Sequence, residues 1–143
     1  MIRLSKKAEY ALLALSYLRG HRAEPVSAAD IAAHFHIPPA ILAKVMQSLK
    51  HVGIVASAKG VAGGYTLDAD LGRVTFLELL DAFEETTALV ECLSDPHPTC
   101  QQLGCCGIRD PIAALNAVIQ HQLEGLTLEQ LFELETVSAT HAV

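Results

Sequence analysis

The sequence predicts a mainly α-helical fold with one small β-hairpin. Apolar residues recur every three or four positions along most of the chain, and one glycine-rich stretch lies between two short apolar runs. With 143 residues, 51% hydrophobic and 18% charged, the chain can bury a core but is too short for a catalytic barrel. It has no run of eighteen apolar residues and no secretory signal pattern, so we expect a cytoplasmic protein with no membrane partner.

Three short helices are predicted before the glycine-rich stretch. Ser5 is a suitable N-cap for a helix over residues 6–19, and Ser27 for a second helix. Pro39 suits the first turn of a third helix, which we expect over residues 39–52. The three helices therefore follow one another with short connections.

The glycine-rich stretch predicts a β-hairpin. Residues 54–58 and 65–67 form the apolar runs, and residues 59–64 form the loop between them. The loop lacks the spacing of a phosphate-binding loop, and no helix begins directly after it. Three helices followed by a two-stranded ribbon are typical of a winged helix-turn-helix, in which the third helix enters the DNA major groove.

Charge is distributed unevenly along the chain. Residues 1–66 hold eight Lys or Arg against three Asp or Glu, whereas residues 67–143 hold two against thirteen. This asymmetry suggests that the basic half binds a polyanion, and double-stranded operator DNA is the expected partner. The alternative is that these cations are ordinary solubilising residues. The candidate DNA-binding residues are Lys6, Lys7, Lys44, Gln47, Ser48, Lys50 and Lys59.

The second half predicts three more helices around a cysteine-containing loop. Capping boxes open a short helix at Thr75 and another at Thr127, and residues 90–107 are expected to be a loop. Asp110 is the expected N-cap of a long helix, with Pro111 at its first position. The apolar stripe of that helix predicts a homodimer contact; it consists of Ile112, Leu115, Val118, Ile119 and Leu123. We expect a DNA-binding region over residues 1–74 and a region for cysteine chemistry and dimerisation over residues 75–143.

All four cysteines lie within fifteen residues, which indicates metal or redox chemistry. The spacings of seven and five residues in Cys92-x7-Cys100-x5-Cys106 are longer than zinc usually takes, and they favour an iron-sulfur cluster. Of the adjacent pair, we select Cys106 as the ligand over Cys105. That pair also leaves open a metal-free thiol-disulfide switch. No histidine forms a recognisable partner for a cysteine nucleophile, so an enzyme is not expected.

The sequence resembles the Rrf2 (Rrf-two) family of bacterial transcription regulators. The resemblance is carried by residues 4–12, 37–45 and 59–67 and by the three-cysteine loop, and it extends over nearly the whole chain. It implies a homodimer held by the long helix after the loop, and often a 2Fe-2S or 4Fe-4S cluster. RirA-like, Suf-system and NsrR-like members are the most similar branches. The resemblance implies a repressor of iron-sulfur assembly or iron-homeostasis genes, with a nitric-oxide or redox sensor as the alternative.

The resemblance also implies a ligand set. IscR-like members carry a histidine three residues after the last cysteine, and this chain has Arg109 there, or Ile108 counted from Cys105. NsrR-like members have an acidic ligand in the first helix that the partner subunit donates, which matches Glu9 here. Glu9 can equally be a surface residue near a helix N-terminus, and His97 is another conceivable ligand. The expected metal ligands are Cys92, Cys100, Cys106 and Glu9.

Overall fold

The computed structural model describes residues 3–83, 85–95 and 99–134. It confirms a mainly α-helical fold with one antiparallel hairpin. The elements are α1 (Lys6–Gly20), α2 (Ala28–Phe35), α3 (Pro39–His51), β1 (Val55–Ala58), β2 (Gly64–Leu67), α4 (Phe76–Ala82), α5 (Glu91–Ser94), α6 (Arg109–Gly125) and α7 (Leu128–Glu133). Within the described ranges, we find no helix with the length and apolar character needed to span a bilayer.

The helix starts of the basic half are set by local hydrogen bonds, as the sequence predicts. The Ser5 hydroxyl accepts from the backbone N–H of Ala8 at 3.2 Å, and the Ser27 hydroxyl accepts from that of Asp30 at 3.0 Å. Pro39 occupies the first turn of α3, where its missing N–H has no helical partner to lose. These caps fix where α1, α2 and α3 begin.

The hairpin is joined to the helices at its base. Strands β1 and β2 pair with Val55 opposite Leu67, and Tyr65 exchanges two backbone hydrogen bonds of 2.7 and 2.9 Å with Val26. A Cβ atom at Gly64 would lie 2.6 Å from the backbone of Val26, so this close approach requires glycine. The wing is therefore held against the connection between α1 and α2.

One apolar core joins the first three helices to the wing and to the start of α4. Its fully buried side chains include Leu15, Leu18, Ile31, Leu42, Val45, Met46, Leu49, Val55, Leu71, Leu79 and Leu128. Leu128 reaches this core from α7, although it is more than fifty residues distant from β2. Backbone hydrogen bonds fix it there, because Leu128 donates to Val74 at 2.9 Å and Phe76 donates to Leu126 at 2.7 Å.

Two features of the acidic half differ from the predictions. The segment expected to be a loop contains the short helix α5, which carries Cys92. Helix α6 begins at Arg109 with Ile108 as its cap residue and no side-chain cap hydrogen bond, so the prediction of Asp110 as N-cap is wrong. Pro111 then falls at the third helical position, where the backbone N–H also has no helical partner. The helix can therefore start two residues earlier than expected.

Candidate functional site: a cysteine cavity and a basic DNA-facing surface

A cavity of about 690 Å³ lies between α5, the loop that follows it and the first turn of α6. We call it the cysteine cavity, because Cys92, Cys100 and Cys106 all line it, together with Gln102 and Arg109. Cys105 is not among the residues that line it. The structure thus brings the three predicted cysteine ligands to one cavity, and their role as ligands stays a prediction.

Tight turns fold residues 100–105, which we call the cysteine loop, back on themselves. The N–H of Leu103 donates to the carbonyl of Cys100 at 3.2 Å, and the N–H of Cys105 donates to the carbonyl of Gln102 at 3.0 Å. Gln102 also accepts from two thiols: Cys100 Sγ lies 3.3 Å from its side-chain oxygen, and Cys105 Sγ lies 3.6 Å from its carbonyl. Gln102 therefore lies at the centre of the folded loop.

The donor chemistry of the cavity suits a thiolate-bound group. All four cysteines are free, and three of them line one cavity. Thiolate sulfur is the ligand that iron-sulfur clusters use most. Across residues 3–83, 85–95 and 99–134, no three His, Cys, Asp or Glu side chains are grouped closely enough to hold one metal ion. Binding would therefore require the loop to draw its thiols closer together.

Glu9 lies apart from the cysteine cavity within one subunit. Its carboxylate pairs with Lys6 at 2.6 Å, and this hydrogen bond, with the negative charge of Glu9, raises the pKa of Lys6 above its ordinary value. Glu9 lines a smaller cavity of about 350 Å³, between α1 and α7, together with Leu13 and Phe132. His97, the other conceivable ligand, lies outside the described residues.

The exposed face of α3 carries the polar side chains predicted to bind DNA. Because α3 buries Leu42, Val45 and Leu49, its opposite face is open to solvent. Lys44, Gln47 and Lys50 are exposed there, Ser48 is half-buried, Lys59 is exposed in the wing loop, and Lys6 and Lys7 are exposed at the start of α1. The structure places these residues on three elements of the basic half, and their contact with DNA stays a prediction.

Sequence reasoning missed three polar residues around the cysteine cavity. Arg109 was noted as the replacement of an expected ligand, but the structure places it in the cavity wall. Gln102 holds two of the thiols. Asn116 is buried, with 7% of its surface exposed. Asn116 interrupts the apolar stripe of the long helix, and this interruption is the sequence signal that could have identified it.

Three helices, a hairpin wing and an open polar face on the third helix define a winged helix-turn-helix DNA-binding protein. The sequence profile of the Rrf2 family, described as an iron-dependent transcriptional regulator, matches residues 4–134. The chain therefore belongs to the Rrf2 family of transcriptional regulators.

Individual relatives agree with this family. The chain is 32% identical over 133 residues to a protein of Aquifex aeolicus (strain VF5) described as an HTH-type transcriptional regulator, covering 92% of each chain. It is 34% identical over 92 residues to the regulator IscR of Xenorhabdus nematophila, covering 64% of this chain and 56% of that one. The structure of CymR, the global cysteine regulator of B. subtilis, superposes with a TM-score of 0.70 at 25% identity and covers 92% of this chain and 96% of that one. These relatives are transcription regulators and not enzymes, and the present chain is a DNA-binding regulator of the same family.

Proposed function

We propose that this regulator senses through an iron-sulfur cluster, 2Fe-2S or 4Fe-4S, held by Cys92, Cys100 and Cys106, and that it represses iron-sulfur assembly or iron-homeostasis genes. The observation that carries the proposal is that three of the four cysteines line one cavity. The description of the family as iron-dependent supports it. Sensing of nitric oxide or redox state would use the same cavity. Because its partner is operator DNA, the protein would act in the cytoplasm.

The cavity offers three of the ligands that such a cluster needs. Thiolate sulfur binds iron, and a bound cluster would supply an iron centre that responds to iron supply, oxidants or nitric oxide. Arg109 in the cavity wall supplies a positive charge near the three cysteines, while Glu91 and Asp95 line the same cavity and add negative charge.

A second copy of the chain completes the proposal. On α6, Leu115 is 49% exposed and Val118 is 59% exposed, and adjacent apolar side chains at the surface mark a contact with another protein. We propose that α6 packs against its symmetry mate. Two copies of α3 would then lie about one DNA turn apart, roughly 34 Å, and would read two half-sites.

Glu9 of the partner subunit is the proposed fourth ligand. A carboxylate oxygen binds iron less tightly than thiolate sulfur, so it is an exchangeable position at which an effector can enter. We expect Glu9→Ala to retain a cluster whose absorption spectrum is altered and which decays faster in air. Lys6→Ala breaks the same ion pair but keeps the carboxylate, so its cluster should match the wild type. A wild-type spectrum and decay in Glu9→Ala would exclude Glu9.

A metal-free thiol switch is the second candidate function. Cys105 is exposed, and its thiol and that of Cys100 both contact Gln102. Two thiols can form a disulfide by passing two electrons and two protons to an oxidant. The similarity to the global cysteine regulator CymR supports this alternative.

One set of measurements separates the two candidates. Protein purified without oxygen is assayed for its visible absorption, iron and sulfide, and its operator affinity is then measured in the loaded, cluster-free and diamide-oxidised states. The cluster proposal predicts a coloured protein with comparable iron and sulfide and an operator affinity that changes on cluster loss. A colourless protein whose affinity changes only with diamide would contradict the cluster and support the thiol switch.

A further inference from the structure

Helix α6 has an unusual distribution of polar residues. In a soluble protein the buried face of a helix is normally apolar, but in α6 the buried residue is Asn116, and Leu115 beside it is exposed. Ile112, Asn116 and Gln120 are spaced four residues apart, so they share one face of the helix. Half-buried Ile119 and Leu123 lie on the same side, so this inner face, which is turned toward the rest of the chain, carries two amide side chains among apolar neighbours.

The inner face of α6 holds the segment that connects α4 to α5. The backbone N–H of Leu89 donates to Asn116 Oδ1 at 2.8 Å, and Gln120 Nε2 donates to Thr87 Oγ1 at 2.9 Å. We call these contacts the two α6 hydrogen bonds. Leu89 and Ile112 also line the cysteine cavity, so the bond to Asn116 lies directly behind the cavity wall.

Water does not easily replace the hydrogen bond between Leu89 and Asn116. Leu89 is half-buried and Asn116 is buried, so water replaces this bond less easily than it would at the surface. The segment continues through Val90 into α5, where Cys92 lies only three residues after Leu89. Cys92 is therefore close along the chain to the backbone that Asn116 holds.

The other end of α6 is attached to the DNA-binding half. Helix α6 ends at Gly125, and the next residue, Leu126, accepts a backbone hydrogen bond from Phe76 at 2.7 Å. Leu128 then enters the core beneath α1 and α3. A continuous chain of contacts thus leads from the cysteine cavity through Asn116 and α6 to the core behind the DNA-facing helix.

We infer that Asn116 is a positioning residue that couples the state of the cysteine cavity to α6, with Gln120 as its weaker counterpart. The inference rests on the proposed function, because it assigns the regulation of the same cavity. When the cavity fills, Cys92 moves, the hydrogen bond at Leu89 changes and α6 adjusts its position. Coupling of this kind requires a contact that differs between two states, and the Leu89 to Asn116 bond is that contact.

The test compares two substitutions at one position. Asn116→Leu removes the acceptor oxygen at similar size, whereas Asn116→Asp retains an oxygen that can accept from Leu89. We measure the amide hydrogen exchange of Leu89 and the ratio of operator dissociation constants between cluster-free and loaded protein. In Asn116→Leu, exchange at Leu89 should accelerate about tenfold or more and the ratio should approach one, while the cluster spectrum is retained. In Asn116→Asp, the slow exchange at Leu89 and the wild-type ratio of dissociation constants should both be partly restored.

A second pair of variants serves if Asn116→Leu does not fold. Gln120→Ala removes the donor to Thr87, and His121→Ala is the control, since His121 is an exposed residue next to Gln120 on the side of the helix away from Leu115. The ratio of dissociation constants should move toward one in Gln120→Ala and stay unchanged in His121→Ala. Equal ratios in the wild type and in Asn116→Leu, or in Gln120→Ala where the first variant does not fold, would overturn the inference.

Failure of the proposed function can be recognised separately. If the wild type holds no cluster, the same ratios are measured between protein whose thiols are alkylated with N-ethylmaleimide and untreated protein, which tests the coupling without a metal. Loss of the alkylation response in Asn116→Leu would then support the role of Asn116. A wild-type operator affinity that responds neither to a cluster nor to alkylation would contradict it, because the cavity would have no state to transmit.

Discussion

The winged helix-turn-helix half and the cysteine-bearing half differ in what they bury. Residues of α1, α2, α3 and β1 form a continuous apolar core. After Leu80, the buried residues in the described part of the chain are Asn116 and Leu128, and Leu128 belongs to the first core. Helices α5 and α6 therefore have no apolar core of their own. The first half is stabilised by its own packing, and we infer that the second half gains stability from a partner copy and from the group bound in its cavity.

The largest effect that this comparison predicts is at Leu42, which is fully buried in α3. Leu42→Ala should lower the free energy of unfolding by about 2 to 5 kcal/mol, because it leaves a cavity among packed side chains. Urea denaturation followed by circular dichroism measures this change. The neighbouring Ile41 is 39% exposed, so Ile41→Ala should cost clearly less. Equal losses in the two variants would show that the core is not where the structure places it.

The exposed face of α6 should control assembly rather than folding. Leu115→Asp combined with Val118→Asp, at the two exposed apolar positions, should weaken the dimer at least about a hundredfold, because it places two carboxylates in an apolar contact. Sedimentation at micromolar concentration should show a monomer whose circular dichroism is unchanged. Ala117→Asp, at an exposed position on the opposite side of the same helix from Leu115, is the control for added charge. A dimer that persists in the double variant would place the subunit contact elsewhere.

The direct contacts to DNA should come from the basic half. Lys44→Ala and Lys59→Ala should each weaken operator binding, by about 1 to 3 kcal/mol if the contact is to a base edge, and affinity should fall steeply with salt. Arg73→Ala removes an exposed cation beyond β2 and should have little effect. The measurement is a mobility-shift titration at two salt concentrations. Unchanged binding in both lysine variants would exclude the DNA-facing surface proposed here.

The smallest expected effect is at the ion pair between the two halves. Arg19 donates to Glu129 at 2.6 and 3.0 Å, and this bond lowers the pKa of Glu129 below its ordinary value. Both side chains are about one-third exposed, so Glu129→Gln should cost at most about 1 kcal/mol at neutral pH. Because the pKa of Glu129 is lower in the folded than in the unfolded state, the ion pair stabilises the fold at pH values above the unfolded pKa. This stabilisation is lost as the pH falls through the folded pKa. Urea denaturation at neutral and acidic pH should show the difference from wild type shrinking in acid. A difference that grows in acid would contradict the ion pair, and Glu24→Gln is the exposed control.

The basic half was predictable because its signals are local. Ser5 and Ser27 cap helices through hydrogen bonds to residues three positions away, and such spacings can be recognised in a sequence. The start of α6 was predicted wrongly because Asp110 and Pro111 suit either of two helix starts. For the cysteine cavity, cysteine spacing predicted the class of chemistry. It did not predict that Arg109 would line the wall, since that depends on how the loop folds.

The polar contacts of α6 were the least predictable feature. The Leu89 to Asn116 bond joins residues 27 positions apart, and the Gln120 to Thr87 bond joins residues 33 apart. An apolar stripe in a sequence does not show which side of the helix faces the chain and which side faces a second copy. The structure resolves this for one subunit, because Leu115 is exposed and Asn116 is buried.

The most direct test of the central proposal is a comparison of two adjacent cysteines. Cys106 lines the cysteine cavity and Cys105 does not. Cys106→Ser and Cys105→Ser are purified without oxygen beside the wild type, and their visible absorption, iron and sulfide are measured. The proposal predicts that Cys106→Ser, like Cys92→Ser and Cys100→Ser, loses the cluster and that Cys105→Ser retains it. A full cluster in Cys106→Ser with none in Cys105→Ser would reverse the assignment, and a full cluster in both would contradict a site built from these three thiols.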